Sequence, residues 1–449
     1  MPWLISRRLT LFSSFLDSIL AFIFFSKIDT IYFSYGSYYL WIAISASWIF
    51  ISYILGRYSR QENSYSIIFL RNSLSIIISI GLCSIFFSLC SLGLIYLIGY
   101  IKFDSLYSIY KLFLTFSICS YIVQTITNLL TKKLFTGRNT WFFLGDEDFF
   151  CKLEQYINCS RVEVKLKKLA IQDLNLNSLS GASGIVLEDL DLLPNRNFET
   201  LLSLKSKGIK ILSIFEWCEM ILQRYPSKLI NSEALITRSF TSKKKSVELR
   251  LKRIAELLIS FLLIILTFPL IFIAAILIKL EDNGSIFYSH IRTGYAGNPF
   301  KIYKLRTMRI DAEKQGAQWA QKNDSRVTKI GSFLRATRID ELPQLLSVIK
   351  GEMSLIGPRP ERPEIEETLE KKISNYRLRH LMRPGLSGWA QVNYPYGASI
   401  EDTENKLSYD LYYLRNFSTF LDILILFKTI KIVFKASGSN PNPMRKELK

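Results

Sequence analysis

The sequence predicts a multi-domain membrane protein: a four-helix transmembrane bundle, a Rossmann-like α/β module, and an α-rich monotopic domain with a re-entrant membrane helix. Three observations predict it. Apolar runs crowd the first third of the chain, short strand-like runs then alternate with helical stretches, and a fifth apolar stretch with a proline near its middle opens the last part.

At 449 residues the chain is too long for one ordinary domain, and 57 Lys and Arg against 38 Asp and Glu give a formal charge of +19. The cations sit beside apolar segments, as at Lys243, Lys244, Lys245, Arg250, Lys252 and Arg253, where an anionic leaflet attracts them. Membrane lipid is therefore the expected partner, and nucleic acid is not. The six cysteines show no ligand or disulfide spacing, and His290 and His380 are the only histidines. Ser-His-Asp chemistry and His-rich metal sites are thereby excluded, which leaves carboxylates and cations as the reactive groups.

The bundle occupies 1–135, with spans expected at 9–26, 38–56, 74–98 and 106–130, each close to the roughly 20 residues a bilayer requires. No small-residue cleavage site follows the first, so it is expected to stay as an anchor. Arg7 and Arg8, then Arg57, Arg60 and Arg71, then Lys132, Lys133 and Arg138 fall at alternate ends, which puts both ends of the bundle in the cytoplasm. No internal repeat and no intramembrane charged pair is visible in this region, which argues against a transporter.

The α/β module is expected over 136–240, with strands at 141–144, 184–187 and 209–214. Gly145 follows the first strand, but no G-x-G-x-x-G appears, so a structural or regulatory role outweighs dinucleotide binding. The last domain spans 241–449. Its apolar helix, over 251–280, carries Pro269, which should break the helix into a hairpin; a straight crossing would carry the rest of the chain out of the cytoplasm. The apolar run 420–434 is half a span long, with Lys428, Lys431 and Lys435 along one side, and is expected to lie in the membrane interface.

The densest polar constellation runs from Arg292 to Asn393. At its centre stand Asp340-Glu341-Leu342-Pro343-Gln344 and the string Gly351 to Pro360. Asp340 and Glu341 fall where a helix can begin, with Pro343 in the first turn, so the dyad faces the positive end of a helix that favours anions. An ionised carboxylate there can attack phosphorus; the alternative is a plain helix cap. Arg326, Arg335, Arg338 and Arg359 flank the pair, and guanidinium matches phosphate bidentately. Arg359 stands between Pro358 and Pro360, whose fixed φ angles should aim it. Upstream, Lys304 and Arg306 lie on a strand-like run; downstream, Arg383 to Asn393, with Gln391, reads as a turn-rich loop.

Together these strings resemble the bacterial sugar transferase family, the polyprenyl-phosphate hexose-1-phosphate transferases, over about the last 200 residues. The resemblance rests on Arg292, Gly294, Lys304, Asp311, Asp324, Arg326, Gly331, Leu334, Arg335, Asp340, Glu341, Pro358, Arg359 and Pro360. It implies a Mg²⁺-dependent enzyme of the bacterial inner membrane, its site on the cytoplasmic face, that initiates surface polysaccharide or O-antigen assembly. A UDP-sugar (glucose or galactose) is the expected donor, undecaprenyl phosphate the acceptor, and homodimerisation is left open. Asp340 inherits the nucleophile role, through a phosphosugar adduct that releases UMP, Glu341 assists metal binding or proton movement, and Asp340 and Glu341 are the expected metal ligands. Lys304, Arg306, Arg326, Arg335, Arg359, Arg383 and Gln391, with Pro358 and Pro360, are the expected phosphate and substrate contacts; Pro269 is the helix break. Glu256, Ser285 and His290 depart from the family's usual residues without touching the dyad. A scaffold that has lost activity is the alternative, opposed by the intact dyad. Residues before about 240 are expected to be dispensable for chemistry.

Overall fold

The computed structural model describes residues 7–32, 38–55, 104–135, 140–158, 164–170, 182–188, 195–229, 246–310, 324–394 and 399–434, with isolated positions at 57–58, 72–73, 77–78, 81, 179 and 312. The chain is helix-rich with some parallel sheet and divides into two compact units, Pro2–Ser213 and Ile214–Lys449.

In the first unit, three of the apolar runs form helices: α1 (Arg8–Tyr32), α2 (Tyr38–Leu55) and α3 (Asp104–Phe135). The run expected at 74–98 falls almost wholly outside the described residues. Among the described residues two segments, Lys111–Leu130 and Glu248–Asp282, are long and apolar enough to cross a membrane. The bundle contains the charged pair that its sequence seemed to lack. Asp17 of α1 and Arg57 are both fully buried, 3.4 Å apart. Asp17 Oδ2 also accepts from the Tyr58 hydroxyl at 2.7 Å, while Oδ1 accepts from Ser120 at 2.8 Å and Gln124 at 3.0 Å, both on α3. Arg57 is thus spent on Asp17 and is not available to a leaflet. Periodicity could not reveal this, because Arg57 lies in a turn beyond α2, 40 positions from Asp17.

The α/β portion is a four-stranded parallel sheet in the order β2 (Lys165–Lys168), β1 (Thr140–Leu144), β3 (Gly184–Leu187), β4 (Lys210–Ser213). Helices α4 (Glu147–Asn158) and α5 (Asn195–Ser206) connect strands, and Leu144, Ile185, Leu187, Leu201 and Leu204 form a buried core. Gly145 is required by close approach: the Glu188 carboxylate lies against it and accepts from the Asp146 amide at 2.7 Å. With Glu147 and Asp148 in the first turn of α4, this helix start is already acidic and unsuited to a phosphate.

The second unit begins earlier than the expected boundary near 241. A strap over 214–229, opened by α6 (Ile214–Trp217), belongs to it. Its Tyr225 stacks on Phe215 at 4.5 Å and donates its amide to Ser408 at 2.8 Å; Arg224, fully buried, donates to Asn405 at 3.2 Å. Trp389 closes the contact, its indole N–H donating to the Gln223 carbonyl at 3.0 Å. Removing everything before 242 would therefore uncover an aromatic core and is expected to cost stability, which is separate from the expected dispensability for the chemical step.

Helix α7 (Ser246–Asp282) has no end at Pro269, so the expected break is not an interruption of the helix; the proline lies inside it and deletes one rung, the kind of position at which a helix bends. Near its start, Arg253 caps the carbonyls of Val348 and Ile349, and Lys252 pairs with Asp422 at 3.1 Å; these two cations face inward, not toward lipid. Glu256 bonds the Ser354 hydroxyl. Near its end, Ala274 and Ile278 pack on Leu305 and Leu334. Between the two, Phe261, Leu262, Ile265, Leu266 and Phe268 are exposed.

After α7 come an antiparallel hairpin, β5 (Phe287–Thr293) and β6 (Pro299–Leu305), then α8 (Lys329–Thr337), a 3-10 turn (Ile339–Gln344), α9 (Leu345–Lys350) and β7 (Ser354–Ile356). The chain continues through α10 (Pro363–Lys372), a 3-10 turn (Tyr376–Leu381), β8 (Gly385–Ser387), α11 (Trp389–Asn393), α12 (Ile400–Asn416) and α13 (Thr419–Phe434). Strands β7 and β8 pair in parallel. Helix α13 is docked as well as apolar: Lys428 turns in to Asn393 at 2.7 Å and lies over the Trp389 ring at 4.5 Å.

Candidate active site

Arg338 starts the site. It adopts a left-handed backbone, φ 61°, and its N–H closes α8 on the Arg335 and Leu334 carbonyls, so the chain turns sharply into the 3-10 segment. Asp340 and Glu341 therefore occupy its first turn, as the sequence predicts, although the turn is 3-10 rather than α. Both carboxylates are buried, at 6% and 7% exposure.

The two are treated differently. Glu341 Oε1 gathers three cations: Arg359 at 2.6 Å, Lys304 at 3.0 Å and Arg338 at 3.3 Å. Burial disfavours its charge, but those cations outweigh burial and hold its pKa well below the ordinary value. Asp340 keeps one buried oxygen, Oδ1, without a hydrogen-bond partner. Burial and the neighbouring Glu341 charge push its pKa up to about 6, against Lys304, Arg338 and Arg335. One carboxylate fixes the cations; the other is left poorly solvated near neutrality.

The strand pairing delivers the cations. β6 sets Lys304 opposite Tyr288, and Gly357, after β7, takes Arg359 into a loop whose neighbours Pro358 and Pro360 fix φ. Pro358 accepts from the Gly385 amide at 2.8 Å, so the two strings that are separate in sequence meet here. Glycine is needed at both 357 and 385, because each backbone lies where the other's side chain would be. Arg335 bonds Thr307 at 2.9 Å and acts on Asp340 through space. His290 accepts from Arg292 at 2.5 Å, and burial together with Arg292, Lys304, Arg362 and Arg359 pushes its pKa down to about 2, so it is neutral.

Four expected contacts are placed elsewhere. Arg306 pairs with Asp282 and ties the end of β6 to the end of α7. Arg326 is held by Asp324 at 2.6 Å. Both are corrections: each guanidinium has a nearer carboxylate than the dyad supplies. Arg383 is exposed, with its carbonyl against Gly357, and Gln391 donates to Leu386 at 3.4 Å within its own loop. Asp311 lies outside the described residues. Sequence reading gave Arg338 only as a flanking cation and did not find Arg379, whose guanidinium donates to the Arg359 carbonyl at 2.6 Å. A surface hollow of about 630 Å³ lined by Glu370, Lys371, Asn375 and Arg377 shares no residue with the dyad.

The donor set bears on magnesium. Among the described residues no three His, Cys, Asp or Glu converge. Asp340, with a free oxygen, suits a cation that takes one or two carboxylates and completes its shell from phosphate and water. Glu341 is less open to it, because three cations already lie on Oε1 and would repel a dication there.

Residues 247–436 match the family model of the bacterial sugar transferases. Over 189 residues the chain is 46% identical to the UDP-N-acetylgalactosamine-undecaprenyl-phosphate N-acetylgalactosaminephosphotransferase of Aeromonas hydrophila, covering 42% of this chain and 45% of that one. It is 40% identical over 187 residues to the UDP-glucose:undecaprenyl-phosphate glucose-1-phosphate transferase of Caulobacter vibrioides, covering 41% of this chain and 70% of that one. The chain belongs to the bacterial sugar transferase family. A sugar transferase of Haemophilus influenzae, itself uncharacterized, is 28% identical over 77% of this chain and 80% of its own length. The match to the Aeromonas sugar transferase takes in less than half of that protein.

Proposed function

We propose that this sugar transferase moves a sugar 1-phosphate from a UDP-sugar to undecaprenyl phosphate, giving undecaprenyl-diphospho-sugar and UMP. The Aeromonas and Caulobacter relatives carry that acceptor in their names. The observation that carries the reading is the asymmetry of the dyad: Asp340 has a buried, unpartnered oxygen beside a Glu341 that assembles Arg359, Lys304 and Arg338.

In the first step an Asp340 carboxylate oxygen bonds to the phosphorus that bears the sugar, and the bond from that phosphorus to the UMP oxygen breaks. Arg359, Lys304 and Arg338, already arrayed on Glu341, face the charge that develops on the diphosphate, at little reorganisation cost. In the second step a phosphate oxygen of the acceptor bonds to the same phosphorus and Asp340 leaves as carboxylate. Magnesium, held by Asp340 and substrate phosphate, would neutralise charge on the leaving group.

The membrane reading belongs with this proposal. Arg253 and Glu281, near the two ends of α7, both bond the second unit, Arg253 at the Val348 carbonyl and Glu281 at the Lys329 amide. A straight crossing would separate them by about 42 Å, on opposite faces of a hydrocarbon core of about 30 Å. The helix therefore enters and leaves on one face, the cytoplasmic one, where UDP-sugars are made. The first unit is read as a four-helix inner-membrane bundle followed by a Rossmann-like module, with a homodimer and lipid contacts as further expectations.

The test offers membranes containing the protein labelled UDP-glucose, UDP-galactose and UDP-N-acetylgalactosamine with undecaprenyl phosphate. Labelled lipid diphosphate with equimolar UMP from one donor is expected. No labelled lipid from any donor would overturn the reading.

A further inference from the structure

The loop Pro358–Pro360 presents Arg359 to Glu341, and its two prolines supply no N–H, so its shape depends on what binds its carbonyls. Two arginines do. Arg379 Nη2 donates to the Arg359 carbonyl at 2.6 Å, and Arg292 Nη1 donates to the Pro360 carbonyl at 3.1 Å. Each is itself pinned from behind. Arg379 pairs with Asp410 of α12 at 3.2 Å and bonds the Tyr376 hydroxyl; Arg379, Asp410 and Tyr376 are 7%, 2% and 2% exposed. Arg292 is held by His290 at 2.5 Å and by Glu361 at 3.4 Å.

We propose that Arg379, clamped by Asp410, and Arg292, clamped by His290, are positioning residues that brace this loop and so fix Arg359 against Glu341. The inference rests on the transferase reading and adds to it a purpose for one buried charge pair and one arginine–imidazole hydrogen bond, both distant from the dyad in sequence. A guanidinium is suited to the task because one planar fork can reach a carbonyl and a carboxylate together, which an ammonium on a flexible stem cannot do as rigidly. Neutral His290 is likewise suited, since only the uncharged ring offers a nitrogen lone pair to Arg292. Displacement of Arg359 by about 1 Å is enough to cost about a hundredfold in rate.

The experiment measures kcat and donor KM for full-length wild type, Arg379→Lys, Arg359→Ala and the double variant, with unfolding midpoints recorded alongside. Arg379→Lys is expected to lower kcat about 10–100-fold with KM within about twofold. Added to Arg359→Ala, it is expected to cost nothing more, because the residue it positions is gone. Unchanged kcat in Arg379→Lys, or losses that multiply in the double variant, would overturn the brace. Should Arg379→Lys fail to fold, the other arm decides: His290→Leu should lose kcat and His290→Gln, which keeps an acceptor for Arg292, should restore it. Equal rates for those two would overturn the brace as well. A wild type silent with every donor would instead remove the transferase reading, and the brace's purpose with it.

Discussion

Asp17 in the helical bundle and Asp340 in the second unit are both buried carboxylates near arginine, yet their surroundings are opposite. Both oxygens of Asp17 are hydrogen-bonded, to Arg57, Tyr58, Ser120 and Gln124. Asp340 has an oxygen with no partner, and the cations nearest to it are gathered on Glu341 instead. A satisfied buried charge is held in place; an unsatisfied one keeps a costly lone pair available to a substrate. Under the proposed function, the contrast is that between a structural carboxylate and a reactive one.

The largest expected effect is on turnover. Asp340→Asn should lower transfer by at least about ten-thousandfold while the protein stays folded and membrane-bound, whereas Asp17→Asn should leave the turnover of the folded fraction within about twofold. Comparable losses in both, measured per folded molecule, would erase the distinction.

Stability should move the other way. Asp17→Asn leaves Arg57 buried without a counter-charge, at a cost of about 3–5 kcal/mol read from denaturation. Asp340→Asn should raise the unfolding midpoint at neutral pH. Its carboxyl is pushed up to about 6 in the fold, so its ionisation costs native stability as pH rises through that value, and the amide escapes the cost. A lowered midpoint in Asp340→Asn would contradict the account of its environment.

Arg359→Ala should slow transfer by about 10²–10³-fold, the usual cost of one preorganised electrostatic contact. Arg326→Ala, whose side chain is committed to Asp324, should cost less than tenfold in the same assay. The smallest effect is on pH dependence. Because Asp340 must be ionised to attack, kcat should fall about tenfold per unit as pH drops below about 6, and the limb should be absent in variants where chemistry no longer limits.

How much of this was legible depended on the range of the interaction. The dyad, the Pro358–Pro360 frame, Lys304 and Arg359 are visible because short strings carry them, and β1, β3 and β4 are visible as short apolar runs, whereas the edge strand β2, with three lysines around one leucine, is not. Guanidinium groups look alike in sequence: only tertiary structure shows that Asp282 claims Arg306, and although Asp324 stands two positions from Arg326, nothing in the string says that this local pair closes on itself. The same holds for Arg379 and Asp410, 31 positions apart, and for the strap, whose Tyr225 finds its partners near 408–416. Asp17 and Arg57 lie on separate elements of an apolar region, where composition averages hide a single pair.

The central claim is that Asp340 attacks the donor phosphate, and the most direct measurement is the mass of the protein after reaction with a productive UDP-sugar in the absence of undecaprenyl phosphate. The account predicts one added sugar phosphate on the peptide that contains Asp340, removed when undecaprenyl phosphate is supplied, and absent from Asp340→Asn. Burst release of UMP without any adduct on that peptide, or an adduct on another residue, would contradict it.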